Sequence, residues 1–326
     1  MRELPFDAEL MRTLAASRSE ALTGFFQLFT FLGEVEGYVL LVTLIHVAFD
    51  KRLAFRLSVV ALVTMSLNHL LKLLIANPRP FVVDGTYTAQ WAVSAERAAE
   101  LATEFSTPSG HAMAGGAFYA YLLASVESRP LRAACVALIL LTGLSRPYLG
   151  VHYLEDVLLG WLLGGAIACA LIRAGGPIAR LWGGIAHAQQ IALVLAATAS
   201  IWAATLWLGG PDVATAPLAI LGYTGFLLGL VVAFPLEERA LDFEPRSGSL
   251  GGKLLRFAVS VSLVLGTLAG FDAAFAAVAP DESGLGYALR YLRYALAGLA
   301  GLLVAPALFL ATGLAEPSEA SGVRPS

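Results

Sequence analysis

Long, uninterrupted apolar blocks constrain the fold of this chain more than any other feature of its sequence. The 326 residues are 58% hydrophobic and 14% charged, and the charged residues fall mostly between the apolar blocks. Because one membrane crossing takes about 20 apolar residues, the pattern predicts roughly nine transmembrane helices. These helices are expected near residues 36–50, 54–76, 110–126, 131–146, 153–173, 187–208, 214–234, 254–279 and 287–312. The sequence therefore predicts an all-α, polytopic membrane helix bundle.

The N-terminal segment differs in composition from the blocks that follow it. Its first twenty residues contain three arginines and four acidic residues and lack the apolar core of a cleavable signal. We therefore expect an amphipathic helix at the membrane surface, followed by an interfacial or re-entrant segment over 21–33. The predicted organisation is an interfacial segment (1–35), a core of about five transmembrane helices (36–173), a further four-helix transmembrane region (174–314) and a polar tail (315–326).

Charge and cysteine content exclude several classes of site. The net charge of −3, with no basic tract, gives no reason to expect a nucleic-acid partner. Cys135 and Cys169 both fall inside apolar runs, which suits small buried residues better than a disulfide or a metal site. The expected partners are the lipid bilayer and a membrane lipid, and the sequence does not indicate an oligomeric state.

The distribution of lysine and arginine predicts the orientation of the chain in the membrane. With nine spans the loops alternate between the two sides, and most basic residues lie on the side of the loops 50–53, 127–130, 174–186 and 235–253. The positive-inside rule makes this side cytoplasmic. We therefore expect a multi-pass protein of the inner cell membrane, with the polar clusters described next facing the periplasm or an equivalent space.

The first polar cluster is the stretch LLKLLIANPRPF. Lysine in an apolar helix costs roughly 3 kcal/mol at mid-membrane, but Lys72 lies only a turn or two before the helix end that Pro78 and Pro80 impose. One interpretation is a lysine that reaches the membrane surface just before a helix stop. The other is a pair of cations, Lys72 and Arg79, seven positions apart on one face, that bind a common anion.

The second polar cluster is the stretch FSTPSGHAMAGG, at the start of an apolar run. Thr107 is expected to cap a helix and Pro108 to occupy its first position. The following amides, of Ser109 and Gly110, would then lack intrahelical partners and form an anion site. His111 beside them could give a proton to a leaving group. Taken alone, the stretch also fits an ordinary capped helix start with an interfacial histidine.

The third polar cluster is the stretch SRPYLGVHYLED. His152 and Asp156 are four positions apart, so on a helix the carboxylate can accept the proton of one ring nitrogen. This bond would fix the tautomer and leave the other nitrogen to attack. Glu155, three positions from the histidine, fits the same role by spacing. Arg146, at the preceding helix end, adds a third cation.

Together the three clusters predict a site for phosphoryl transfer. Each lies at the end of an apolar helix on the same predicted side, and together they supply cations, amides and two histidines. The cations and amides would hold the phosphoryl oxygens, His152 would attack phosphorus, and His111 would protonate the departing oxygen. No metal or other cofactor is expected, because the clusters lack the carboxylates that magnesium prefers and the His/Cys set that zinc prefers.

The order and spacing of these residues resemble the signature of the type 2 phosphatidic acid phosphatase superfamily, which includes lipid phosphate phosphatases, glucose-6-phosphatase and the vanadium haloperoxidases. Its three parts match Lys72 with six residues before Arg79-Pro80, then Pro108-Ser109-Gly110-His111, then Ser145-Arg146 with five residues before His152 and three more before Asp156. All three parts are present in order and without departure. The resemblance covers about residues 20–173.

The resemblance implies a role for each matching residue. His152 would be the nucleophile, Asp156 instead of Glu155 its partner, and His111 the general acid. The implied phosphate ligands are Lys72, Arg79, Ser109, Gly110 and Arg146. The helices beyond residue 174 are similar to the multi-helix extensions of sphingosine-phosphate phosphatases and glucose-6-phosphatase, and they leave the substrate open.

The expected function is an integral membrane phosphatase that removes phosphate from a lipid monoester or diphosphate through a phosphohistidine intermediate. A lipid phosphotransferase would use the same residues with an alcohol in place of water, and a soluble sugar phosphate is an alternative substrate. An anion transporter, from a different class, would use the cations to bind a passing anion. The transporter is disfavoured because the helices at 187–208 and 214–234 carry only one histidine and are otherwise uncharged.

Overall fold

The computed structural model describes residues 4, 6–83, 101–209 and 218–318, and these residues are almost entirely helical. Within these ranges the chain forms one isolated β-bridge and no β-strand. The all-α fold predicted from the apolar blocks is therefore confirmed.

The helices are numbered in chain order over the described ranges. They are α1 (Ala8–Ala16), α2 (Glu20–Phe31), α3 (Val35–Ala48), α4 (Lys51–Ile75), α5 (Pro80–Val83), α6 (Gly110–Ser125), α7 (Arg129–Leu149), α8 (Leu154–Gly183), α9 (His187–Gly209), α10 (Leu218–Ala240), α11 (Leu250–Ala276), α12 (Gly284–Leu299) and α13 (Ala305–Ala311). A π-helical turn, Ala300–Val304, joins α12 to α13.

Local sequence signals set several helix ends. The side chains of Asp7, Ser19 and Ser249 accept amide hydrogen bonds at the starts of α1, α2 and α11. At the end of α7, Gly150 takes a left-handed φ of 82°, which glycine adopts without strain. This turn brings the chain from α7 directly to His152.

The described residues contain seven stretches that are long and apolar enough to cross a membrane, and the bent pair of α2 and α3 makes an eighth if it counts as one span. The chain is therefore a multi-pass membrane protein. The predicted number of about nine is higher, because α6 has only 16 residues, fewer than the about 20 that a crossing needs. α3 has 14 residues and reaches spanning length only with α2, from which it bends by 59°.

The chain divides into two compact units. Unit 1 comprises Met1–Tyr38, Val63–Ala179 and Ala204–Thr215, and unit 2 comprises Val39–Leu62, Arg180–Ala203 and Ala216–Ser326. The predicted boundary at 173/174 falls inside α8, which continues to Gly183.

In unit 1, a glycine lets the start of α8 lie directly against α6. A Cβ atom on Gly160 would lie 2.9 Å from the Cβ of Ala112 and 3.0 Å from the carbonyl oxygen of Ser109. At this crossing the amide of Ser109 donates to the carbonyl oxygen of Asp156 at 3.1 Å. The close approach therefore joins the second and third polar clusters of the sequence.

In unit 2, α10 and α12 also approach closely, since a Cβ atom on Gly298 would lie 3.0 Å from the carbonyl oxygen of Phe226. This unit contains a buried ion-pair cluster. The ammonium of Lys51 lies 3.0 Å from Oε1 of Glu237 and 2.7 Å from Oδ1 of Asp242. The cluster ties the start of α4 to the end of α10.

Candidate active site

The turn after α4 carries Arg79 into the interior of unit 1. The helix ends, and Ala76 takes a positive φ of 54°. Asn77 then fixes the chain: its Oδ1 accepts a hydrogen bond from the amide of Leu4 at 3.0 Å, and its Nδ2 donates to Oγ1 of Thr107 at 2.9 Å. Arg79, two residues later, is only 1% exposed.

The Arg79 guanidinium contacts both the third cluster and an acidic residue. Its Nη1 donates to the carbonyl oxygen of Val151 at 3.0 Å and lies 3.1 Å from Nε2 of His152, and its Nη2 donates to Oε2 of Glu104 at 3.0 Å. Because arginine has only donors, Nε2 of His152 has to be the acceptor. The ring nitrogen that faces Arg79 therefore carries the lone pair.

The other ring nitrogen of His152 faces a carboxylate. Nδ1 lies 3.3 Å from Oδ2 of Asp156 and 3.2 Å from Oγ of Ser106. With the lone pair on Nε2, the proton of the neutral ring is on Nδ1, which can donate to Asp156. Glu155, the alternative by spacing, instead accepts a hydrogen bond from the amide of Asp7 at 3.1 Å.

The Asp156 carboxylate is fully buried and is held from several sides. It accepts hydrogen bonds from the hydroxyls of Ser106 and Thr107 and from the amide of Tyr153, the last at 2.9 Å. Tyr153 precedes the first residue of α8, so this amide bond is one half of a capping box. His152 lies before the first residue of α8, so its contact with Asp156 joins the turn after α7 to the first turn of α8.

Burial lowers the pKa of His152 well below its ordinary value, and the positive charges of Arg79, Arg146 and Lys72 lower it further. The ring is therefore neutral at physiological pH, which is the form with a nucleophilic lone pair. This agrees with the acceptor role that the hydrogen bond from Arg79 requires of Nε2.

The start of α6 differs from the prediction by two residues. The helix begins at Gly110 and its N-cap is Ser109, whereas Thr107 was expected to be the cap and Pro108 the first residue. The Thr107 side chain makes tertiary hydrogen bonds instead of a cap: its hydroxyl donates to Asp156 and accepts from Nδ2 of Asn77. The amide of Ser109, expected to be open to a ligand, donates to the Asp156 carbonyl oxygen at 3.1 Å.

His111 lies in the first turn of α6, where the amides of Gly110 and His111 have no intrahelical acceptor. The turn after α2 packs against its ring, since a Cβ atom on Gly33 would lie 3.0 Å from Cδ2 of His111. Nε2 of His111 is buried and has no hydrogen-bond partner among the described residues. His111 lies within electrostatic range of Arg146 and His152. An atom that can carry a proton is therefore available near the proposed nucleophile.

Arg146 is buried in the last turn of α7 and is oriented by a residue of α2. Its Nη1 donates to Oγ1 of Thr30 at 3.3 Å, and the Thr30 hydroxyl donates to Oγ of Ser145 at 2.9 Å. Ser145 in turn donates to the carbonyl oxygen of Thr142 at 2.7 Å. The hydroxyl chain connects α2 to the arginine that the sequence predicts as a phosphate ligand.

Lys72 meets the same acidic residue as Arg79. Its Nζ lies 3.0 Å from Oε2 of Glu104, the oxygen that also accepts from Arg79. The Lys72 ammonium lowers the pKa of the Glu104 carboxyl well below its ordinary value, and Arg79 adds to this effect. Glu104 is thus ionised at neutral pH, and the two cations predicted to share an anion share a carboxylate oxygen.

Several residues of this site were not predicted from the sequence. Asn77 and Ser106 lie inside the quoted polar stretches, and their position beside predicted residues was the one signal available. Glu104 and Thr30 lie outside those stretches, and no sequence pattern marks them. All four were found through tertiary contacts.

Two family profiles match the chain. The PAP2 superfamily profile matches residues 53–178, and the profile of the PAP2 superfamily phosphatase transmembrane extension matches residues 221–317. The chain belongs to the PAP2 superfamily. The resemblance predicted from the three motifs is therefore confirmed. Comparison with curated proteins and with solved structures gave no significant match.

The two profile matches cover different parts of this PAP2 superfamily protein: the first contains the candidate active site, and the second contains the carboxylates of the ion-pair cluster in unit 2. Every predicted site residue falls within the first match, whereas Thr30 and Gly33 precede it. The second match lies wholly within unit 2 and includes the Glu237 and Asp242 carboxylates. Residues 221–317, which contain most of α10 and all of α11 to α13, thus match a PAP2 transmembrane extension.

Proposed function

We propose that this protein is a membrane phosphatase that hydrolyses a lipid phosphate through a phosphohistidine on His152. The proposal depends above all on the orientation of the His152 ring, with Nδ1 against Asp156 and the lone pair of Nε2 against Arg79. A neutral imidazole held in this way is a nucleophile whose reacting nitrogen lies beside a phosphate-binding cation. Membership of the PAP2 superfamily supports the same chemistry.

In the first step, Arg79 exchanges its hydrogen bond to Nε2 of His152 for one to a phosphoryl oxygen, and the freed lone pair of Nε2 attacks phosphorus in line with the leaving oxygen. The P–N bond forms as the P–O bond to the alcohol breaks, and the bonding electrons move to the oxygen. His111, whose imidazolium form is favoured by the negative charge of the bound phosphate, gives this oxygen its proton. Asp156 stabilises the positive charge that develops on the His152 ring.

In the second step, His111 accepts a proton from water as the water oxygen attacks phosphorus. The P–N bond breaks, inorganic phosphate is formed, and His152 returns to its neutral state. In both steps Lys72, Arg79 and Arg146 balance the charge on the phosphoryl oxygens, together with the Ser109 hydroxyl and the Gly110 amide.

A lipid substrate is supported by the position of the site at the ends of α4, α6, α7 and α8. It is also supported by α2, which orients Arg146 through Thr30 and exposes large apolar side chains. Phe25, Leu28 and Phe31 recur at helical spacing and are 44%, 57% and 38% exposed. An acyl chain beside α2 would leave its phosphate within reach of the cations. The distribution of basic residues favours a site on the outer face.

The test is release of inorganic phosphate by the full-length protein in detergent micelles, without an alcohol acceptor. The substrates are phosphatidate, phosphatidylglycerol phosphate, isoprenyl diphosphate, sphingoid-base phosphate and a sugar phosphate. We expect His152→Ala to reduce kcat by about 10³-fold or more on the preferred lipid. His187→Ala, which removes an imidazole from unit 2, should retain wild-type activity.

The possible results separate the alternatives. Undiminished phosphate release by His152→Ala would contradict the phosphohistidine mechanism. Release that requires an added lipid alcohol would identify a phosphotransferase, and a preference for the sugar phosphate would contradict the lipid assignment.

A further inference from the structure

Glu104 occupies the position of an anion between two cations that are proposed to bind phosphate. Its Oε2 lies 3.0 Å from Nζ of Lys72 and 3.0 Å from Nη2 of Arg79. Phosphate oxygens accept charge-assisted hydrogen bonds from the same donors at similar distances. A substrate phosphate that uses both cations therefore has to displace this carboxylate.

The three side chains differ in their freedom to move. Lys72 and Arg79 have side chains that are 14% and 2% exposed, whereas the Glu104 side chain is 57% exposed. The cations are thus fixed by their surroundings, and the carboxylate can rotate toward solvent. Because the phosphate takes the place of the carboxylate between the two cations, neither buried cation is left without an anion.

The backbone of Glu104 is held while its side chain moves. Its carbonyl oxygen accepts a hydrogen bond from Nε of Arg79 at 3.3 Å. Two residues later, the amide of Ser106 donates to the carbonyl oxygen of Asn77 at 2.8 Å. The displaced carboxylate therefore stays within one side-chain length of the site, where it places a negative charge beside the bound phosphate.

We infer that Glu104 determines which chemical group the site accepts next to the phosphate of its substrate. The inference rests on the proposed function. A second anionic group, as in a diphosphate, is repelled by the displaced carboxylate, whereas an ammonium group pairs with it. The favoured substrate class is then a phosphate monoester with an ammonium group a few bonds from the phosphate.

The role of Glu104 can be measured with two small phosphate monoesters of similar length, phosphoethanolamine and ethyl phosphate, of which only the first carries an ammonium group. Dissociation constants are measured on full-length protein carrying His152→Ala, so that no phosphohistidine forms, with and without Glu104→Gln. Glu127→Gln is the matched control, because it removes an exposed carboxylate of unit 1 at the far end of α6.

With Glu104 present, phosphoethanolamine should bind about threefold more tightly than ethyl phosphate. Glu104→Gln should bring this ratio close to one and should tighten the binding of ethyl phosphate by about fivefold, since no resident carboxylate competes. Glu127→Gln should leave both constants unchanged. With His152 intact, Glu104→Gln should lower KM for a lipid monoester without ammonium.

An unchanged ratio in Glu104→Gln would overturn the inference, and it would leave the proposed function intact if phosphate release still depends on His152. Failure of both compounds to bind any variant would also overturn it. That failure would remove the proposed function only if the wild-type chain releases no phosphate from any lipid.

Discussion

The two compact units of the chain each contain a buried cluster of charges, and the clusters are balanced in opposite ways. In unit 1, Lys72 and Arg79 share one oxygen of Glu104, whose side chain is 57% exposed. In unit 2, the single ammonium of Lys51 lies between two carboxylates, of which Glu237 is only 1% exposed. The first cluster has more cations than anions, and the second has more anions than cations.

The two clusters therefore differ in how their cations are neutralised. In unit 2 the cation is paired with carboxylates of the chain itself, whereas in unit 1 the cations outnumber the carboxylate beside them. In unit 2, Glu237 also accepts a hydrogen bond from the amide of Phe243 at 3.1 Å, so side chain and backbone both hold it. In unit 1, the position between Lys72 and Arg79 is occupied by the Glu104 carboxylate, whose side chain is largely exposed and which we propose a phosphate displaces. Buried charge alone therefore does not mark a catalytic site.

The largest expected effect is that of Asp156→Asn on catalysis. The amide cannot stabilise a positive ring on His152 and favours the wrong tautomer, so kcat should fall by about 10³-fold, while the protein remains folded. Phosphate release and thermal unfolding of the same preparation measure the two effects. Glu155→Gln is the neighbouring control and should retain kcat. An equal loss of activity in both variants would contradict the assignment of Asp156, instead of Glu155, as the partner of His152.

The opposite result is expected for Lys51→Met in unit 2. The buried Glu237 carboxylate and the partly exposed Asp242 carboxylate lose their partner, which should destabilise the fold by about 3–5 kcal/mol, whereas kcat per folded molecule should be unchanged. Arg52→Gln breaks a neighbouring pair with Glu238, in which the arginine side chain is 69% exposed, and should change stability by less than about 1 kcal/mol. A loss of kcat in Lys51→Met would contradict the separation of roles between the clusters.

A smaller effect is expected for Thr30→Val, which removes the hydroxyl that accepts from Arg146. The loss of one charge-assisted hydrogen bond should raise KM by about five- to tenfold with little change in kcat. Thr30→Ser should restore the wild-type KM, because it keeps the hydroxyl. If Thr30→Val and Thr30→Ser behave alike, the hydroxyl does not position the arginine.

Two features of the sequence were most informative: the length of the apolar blocks, which predicts membrane helices, and the spacing of the polar motifs at their ends. Arg79, His152 and Asp156 are singled out by the spacing of three motifs, and the structure brings the three side chains together. Glu104 could not be predicted, because an acid in a hydrophilic stretch is ordinary, and only the fold shows that it lies between two cations. The cap at Thr107 was predicted wrongly because a tertiary hydrogen bond to Asp156 outweighs the local capping signal.

The turn between α2 and α3 has a practical consequence for protein engineering. Thr30 contacts Arg146, and Gly33 lies against the His111 ring, yet both residues precede the PAP2 match at 53–178. A fragment that contains only the three motifs would lose the Thr30 hydroxyl that contacts Arg146 and the turn at Gly33 that packs against His111. A shortened version of this protein should therefore begin upstream of α2, so that the motifs keep the residues that pack against them.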